Sequence, residues 1–226
     1  PELWRRTIPD VLKDTAGRVA DREAAVFPEP DVRWTWAELE REVDALAHGF
    51  LKLGLEKGDR VGIWSPNRYE WLLTQFATAR VGIILVTINP AYRVSEVEYV
   101  LNKVGCAALV TASHFKTSDY LDMLQELAPE LTDCAPGALS AAKLPSLKTV
   151  IRAGANATPG MLNFDAVVDS GRDGDAAALD TISATLTPDE AINIQFTSGT
   201  TGAPKGATLS HITVSYTHLR AHETGY

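Results

Sequence analysis

Several things are scarce in this sequence, and each scarcity removes a class of function. Cysteine occurs twice, at Cys106 and Cys134, and neither has metal-ligand spacing. Cys106 lies in the apolar run Cys-Ala-Ala-Leu-Val, where a buried free thiol is expected, in keeping with a reducing compartment. Long hydrophobic runs are missing. No apolar stretch approaches the roughly 18 residues of a membrane-spanning helix, so no transmembrane segment is expected. Positive charge is in deficit: the 226 residues carry 29 acidic against 21 basic side chains, a net charge of −8. A nucleic-acid-binding protein usually shows a basic face, so no nucleic-acid partner is expected. An anionic small ligand stays open, because a loop can be locally positive within an acidic chain. No internal repeat is evident.

What is present is an ordinary globular composition, 45% apolar and 22% charged, long enough for about one to two domains. Helical and strand-like patterns alternate. Leu39, Val43, Leu46, Phe50 and Leu53 recur at steps of four and three, which predicts an amphipathic helix over 36–53 closed by Gly54. Val61–Trp64 is a short apolar strand. A helix starting at Ser65-Pro66-Asn67 runs to about Arg80, with Tyr69, Leu72, Phe76 and Ala79 on one face. Ile83–Val86 is the next strand, Val94–Val104 a helix ended by Gly105, Ala107–Val110 a strand, and 118–127 a helix. Leu147–Ile151 and Ala191–Phe196 are further strands. Residues 129–145 and 154–188 are rich in Ala, Gly, Pro, Asp and Ser, and 169–175 is expected to be an exposed acidic loop whose charges are simply solvated. Strands that are apolar throughout and separated by helices predict an α/β fold built from βαβ units with a mostly parallel sheet.

The stretch with most chemistry is Phe196-Thr-Ser-Gly-Thr-Thr-Gly-Ala-Pro-Lys-Gly206. Glycine lets backbone N–H groups approach an anion, and successive N–H groups make anion-binding nests. Hydroxyls of Thr197, Ser198, Thr200 and Thr201 can donate to phosphate oxygens, and Lys205 brings a positive charge. A Walker loop requires Gly-x-x-x-x-Gly-Lys-Ser/Thr, but here Gly202 is followed by Ala203, Pro204 and Lys205, then by Gly206. The Gly-x-Gly-x-x-Gly dinucleotide spacing is absent too. A flexible linker predicts neither the strand-like Asn-Ile-Gln-Phe before the loop nor the Ala207-Thr-Leu after it. Those three residues are expected to form a return strand, giving a hairpin-like phosphate clamp without a helix N-terminus directly behind it. The candidate binding segment is Thr197, Ser198, Gly199, Thr200, Thr201, Gly202, Ala203, Pro204 and Lys205.

This segment, extended by Ala207-Thr-Leu-Ser-His211, resembles the AMP-binding signature of the adenylate-forming (acyl-CoA synthetase/luciferase) superfamily. Trp34-Thr-Trp-Ala-Glu-Leu39, Lys57-Gly-Asp-Arg-Val61, Ser65-Pro-Asn67 and Gly82-Ile-Ile-Leu-Val-Thr-Ile-Asn-Pro-Ala-Tyr92 are similar to other stretches of that family, so the resemblance covers residues 8–211. It implies the N-terminal part of the family's fold and a two-step ligase. ATP and a medium-chain fatty acid give an acyl-adenylate and pyrophosphate, and coenzyme A then displaces AMP. The implied cofactors are ATP with Mg2+, coenzyme A is the co-substrate, and the implied location is mitochondrial. Lys205 becomes a phosphate contact or loop-closing charge. Rival readings are a short-chain, aryl or peptide-synthetase adenylating enzyme, or a non-catalytic ATP- or protein-binding fragment.

The resemblance also sets expectations about extent. The chain begins at Pro1, so a preceding piece is expected. The ribose-binding aspartate and the lysine of the family's mobile C-terminal domain are expected beyond residue 226, so catalytic residues are not assigned and residues 1–226 by themselves are expected to be inactive. Residues 1–211 are taken as a partial AMP-binding domain and 212–226 as a tail foreign to the family, similar to translated cloning sequence. His218 and His222 have i,i+4 spacing, but without a third ligand no metal site is expected. His211 is given no role.

Overall fold

The computed structural model describes residues 5–197 and 204–214. Thr7 caps helix α1 (Ile8–Arg18), its hydroxyl accepting from the Asp10 N–H. Strands β1 (Glu23–Phe27) and β2 (Val32–Thr35) form an antiparallel hairpin. Thr35 and Glu38 then cap helix α2 (Trp36–Lys52) reciprocally, side chain to backbone in both directions. Two strand–helix units and a further strand follow: β3 (Arg60–Trp64) and α3 (Tyr69–Arg80), β4 (Ile84–Thr87) and α4 (Val94–Val104), then β5 (Ala108–Thr111). A small hairpin, β6 (His114–Phe115) with β7 (Ser118–Asp119), leads to α5 (Tyr120–Leu127) and a 3-10 turn at Pro129–Thr132. The remaining elements are β8 (Thr149–Arg152), β9 (Leu162–Asn163), α6 (Phe164–Gly171), α7 (Ala176–Ser183), β10 (Ala191–Thr197) and β11 (Lys205–Ser210).

Among the described residues a seven-stranded sheet organises the fold, in the order β11-β10-β4-β3-β5-β8-β9. All neighbours are parallel except β11, which runs antiparallel to β10 at the edge. The α/β expectation is met, and the uniformly apolar strands have the expected cause. Val61, Ile63, Leu85, Val110 and Ile151 pack toward α1, α2, α3 and α6. Trp64, Val86, Leu109 and Val150 pack toward α4 and α5 on the opposite face. Both faces of the central strands β3, β4, β5 and β8 are therefore dry, and the period-two polar alternation of a half-exposed sheet has no place in them.

The sequence-based expectations and the structure part in a few places. In α3 the fully buried ridge is Glu70, Leu73, Thr74, Ala77 and Thr78, while the expected Tyr69, Leu72 and Phe76 are half-buried. Polar residues disguised that ridge. Thr74 and Thr78 satisfy their hydroxyls on the carbonyls of Glu70 and Thr74 (2.7 and 2.8 Å), and Arg68 holds both carboxylate oxygens of Glu70. Ser118 and Asp119 pair as β7 rather than starting α5, with Asp119 as its N-cap. Residues 154–188 contain two helices, and the expected acidic loop is partly built into them. Residues 169–171 end α6, Asp175 caps α7, and Asp169 and Asp173 are exposed but paired with Arg172 and Lys52.

Helix α6 lies against α2 at a very close crossing. A Cβ on Gly49 would overlap the carbonyl oxygen of Val167 and stand 2.9 Å from its Cγ1. A Cβ on Gly171 would overlap the carbonyl oxygen of Ala45 and stand 2.6 Å from the Gly49 nitrogen. Two glycines facing each other thus let the backbones meet.

Candidate functional site

The glycine-rich segment springs from the carboxyl end of β10. Ile192, Asn193 and Phe196 of that strand are buried, and its backbone pairs with β4 from Asn193 opposite Leu85 to Gln195 opposite Thr87. The carboxyl ends of β3, β4, β5, β8 and β10 all point the same way, and in open parallel sheets ligands settle outside that edge. β11 returns antiparallel, with Thr197 opposite Lys205, Phe196 opposite Gly206 and Gln195 opposite Ala207. The expected return strand is therefore present and longer than Ala207–Leu209. Residues 211–214 then turn into a helix. β10 and β11 pair as a hairpin, and the chain that follows Pro204 is a strand rather than a helix.

Of the candidate residues, Thr197, Pro204 and Lys205 are described; Ser198, Gly199, Thr200, Thr201, Gly202 and Ala203 lie outside the described residues. The hairpin brings Thr197 and Lys205 face to face at its mouth. The Thr197 hydroxyl donates to the Lys205 carbonyl at 3.4 Å, and both residues are exposed. Gly206, next to the mouth, lies under the Phe196 ring. A Cβ there would stand 3.1 Å from Ile194 Cγ2 and 3.3 Å from Phe196 Cζ, so the absent side chain lets this ring cover the strand.

The neighbouring rim is rigidly built. Asn89 and Pro90 carry the chain away from β4, the Asn89 side chain accepting from the Ala91 N–H at 2.9 Å. The Tyr120 hydroxyl donates to the Pro90 carbonyl at 2.6 Å, and its ring stacks on Trp64 at 3.7 Å and 11°. Burial pushes the Tyr120 hydroxyl up to about 12, so it stays protonated and keeps donating. Sequence reading missed this Trp64–Tyr120 bracket. The pairing is long-range, and its only local signal is an aromatic at a strand end.

Other reactive groups stand apart from the hairpin. Cys106 is buried, with its thiol pushed up to about 12 by burial, and Cys134 is half-buried; neither is in a disulfide. Among the described residues no three His, Cys, Asp or Glu side chains gather closely enough to hold a metal, and no helix is long and apolar enough to cross a membrane. His218 and His222 lie outside the described residues. His211 is fully buried, its Nδ1 accepting from the Ile8 N–H at 3.0 Å.

Comparison with known proteins agrees with this geometry. Over 215 residues the chain is 50% identical to the medium-chain acyl-CoA ligase ACSF2, mitochondrial, of Homo sapiens, covering 94% of this chain and 34% of that protein. The solved acetoacetyl-CoA synthetase from Streptomyces lividans shares the fold with a TM-score of 0.75 at 25% identity, covering 96% of this chain and 32% of that one. The anthranilate CoA ligase AuaEII, solved in complex with anthranoyl-AMP, also gives 0.75, at 21% identity, covering 94% of this chain and 36% of that one. The chain spans about a third of the length of these relatives. The model of the family described as AMP-binding enzyme matches residues 12–225, running on past the expected boundary at 211. That match takes in the sheet, both helical layers and the hairpin, and the chain belongs to the AMP-binding enzyme family.

Proposed function

We propose that the β10–β11 hairpin is the ATP-phosphate clamp of an AMP-forming acyl-CoA ligase acting on medium-chain fatty acids in mitochondria. One observation carries this reading: Thr197 and Lys205 face each other across a hairpin mouth at the carboxyl edge of a parallel sheet, and the Gly/Ser/Thr residues lie between them in sequence. The substrate class and location follow from the similarity to the mitochondrial medium-chain acyl-CoA ligase ACSF2.

The donor set suits a polyphosphate. It offers hydroxyls, one ammonium and glycine N–H groups, with no carboxylate between residues 196 and 206 to repel the anion. In the proposed first step a carboxylate oxygen of the fatty acid attacks the α-phosphorus, and the bond to the bridging oxygen breaks, releasing pyrophosphate. Negative charge builds on the departing group. Lys205, the hydroxyls of Thr197, Ser198, Thr200 and Thr201, and backbone N–H groups at Gly199 and Gly202 neutralise it. Mg2+ would enter on the phosphates of ATP, whose oxygens supply the hard ligands that the described residues do not cluster. In the second step the coenzyme A sulfur attacks the acyl carbon and AMP leaves.

The test is exchange of labelled pyrophosphate into ATP by the full-length protein. Exchange should require a fatty acid but not coenzyme A, and should be fastest with medium chains. Lys205→Met should slow it by about 100-fold, the usual size of one lost charge-stabilising donor. Exchange without any carboxylate, or unchanged exchange in Lys205→Met, would refute the proposal; preference for an aryl acid would move the substrate class.

A further inference from the structure

Among the described residues β11 pairs with β10. Three contacts gather where the hairpin enters and leaves. Before β10, Asp189 accepts from Arg5 at 2.7 Å. After β11, the Ile212 N–H donates to the Pro188 carbonyl at 3.1 Å, tying the two feet of the hairpin together. Between them the buried His211 takes the N–H of Ile8, the first residue of α1, on Nδ1. That N–H is one of the four donors every helix leaves unpaired at its start, so the imidazole completes the helix end as it anchors the strand.

We propose that His211 is a positioning residue for the phosphate clamp: by binding the Ile8 N–H it locks the foot of β11 to α1, and so holds the Thr197–Lys205 mouth in place. The inference rests on the ATP reading of the hairpin. It requires a neutral ring with Nδ1 unprotonated, since a protonated imidazole cannot accept. The surroundings enforce this. Burial pushes His211 down to about 4, outweighing the nearby carboxylates of Glu190 and Asp10, which act to raise it. Glu190 is itself paired with Lys57, and Asp10 accepts from the Thr7 hydroxyl.

The sign of the pH effect follows. An unfolded chain protonates this imidazole near its ordinary 6.5, while the folded one resists to about 4. Stability from this group is complete above 6.5, falls by about tenfold in the folding constant per pH unit between 6.5 and 4, and levels off below.

Three variants of the full-length protein test the clamp. His211→Leu removes the acceptor. His211→Asn keeps an acceptor near the Nδ1 position. Ile8→Pro deletes the donor without touching the histidine, at the helical position where proline is best tolerated. Hydrogen exchange without ligand should quicken in the amides of 191–197 and 205–210 in His211→Leu and Ile8→Pro, while β5 stays protected. The KM for ATP in pyrophosphate exchange should rise several-fold in both, with the KM for fatty acid unchanged, and the double variant should be no worse than either single one. His211→Asn should recover most of the ATP effect. Unchanged hairpin exchange in Ile8→Pro, or faster exchange at a wild-type KM for ATP, overturns the proposal. If wild-type protein shows no pyrophosphate exchange, the ATP reading has failed, and the hydrogen-exchange arm alone still decides whether the clamp exists.

Discussion

Replacing Gly49 by alanine sets two known effects against each other, and the structure decides the sign. Gly49 lies inside α2, where alanine normally gains about 1 kcal/mol through a less flexible unfolded chain. Against that, the new methyl would occupy the space of the Val167 carbonyl oxygen and crowd Val167 Cγ1 at 2.9 Å. The first obstacle is backbone, so no rotamer change relieves it; α6 has to move away from α2. That separation loosens Phe164, Val167 and Val168, all buried against Val43, Leu46 and Phe50. Overpacking of this kind costs about 1–3 kcal/mol, and an unyielding backbone neighbour puts this site toward the top of that range. The net is a loss of about 1–2 kcal/mol, which lowers the melting temperature. Thermal melts of the full-length protein by near-UV circular dichroism read it directly. Gly17→Ala is the control, since nothing lies within 4 Å of its added methyl, and it should melt at or slightly above wild type. A Gly49→Ala protein that melts as high as wild type would show that the α2–α6 crossing is not limited by backbone contact.

Two further outcomes follow from burial. Of the two thiols, Cys106 should resist a native-state thiol reagent at pH 8 while Cys134 reacts, because Cys106 is buried with its thiol raised to about 12; mass spectrometry after digestion locates the adduct, and rapid native labelling of Cys106 would contradict its burial. Arg80, with its side chain only 7% exposed, joins Asp44 (2.8 Å), Asp180 (2.7 Å) and Ser183 (2.5 Å), so Arg80→Met should cost about 2–4 kcal/mol by stranding Asp44, whereas Asp180→Asn, at a half-exposed site, should cost under about 1 kcal/mol; equal losses in urea titrations would disprove this ranking.

How much of the fold could be read depended on what each element buries. β3, β4 and β5 are short, largely apolar runs, β10 alternates apolar with polar residues, and their observed bounds differ from expectation by no more than one residue at either end. α2 and α4 carry broad apolar stripes and a positive-φ glycine just after them, at Gly54 and Gly105. α1 was not read, because only Pro9, Leu12 and Ala16 are buried along it. α6 and α7 were hidden by an Ala-, Gly- and Asp-rich composition that normally marks a loop. They are helices because Asn163 and Asp175 cap them and because Phe164, Val167, Val168 and Leu179 find an apolar layer that only the assembled sheet creates. Strand order was beyond reach for the same reason: β4 and β5 flank β3 from opposite sides, and no local pattern encodes which side a crossover takes.

The site was legible as chemistry and much less so as mechanics. Residue types at 197–205 suit an anion, and a return strand is expected at Ala207–Leu209, where the structure extends it to Lys205–Ser210. What the local sequence could not show is how such a hairpin is held still. A phosphate loop that opens a helix gains a fixed dipole and a rigid body directly behind it. Here the chain after residue 204 returns as a strand, so in the proposed clamp the positive charge would come from Lys205 and the rigidity from contacts at the strand's feet. Those contacts join residues about 200 positions apart, Arg5 to Asp189 and Ile8 to His211. His211 closes the signature in sequence and anchors the foot of β11 to α1 in space, and in the proposed clamp that contact sets where Lys205 stands.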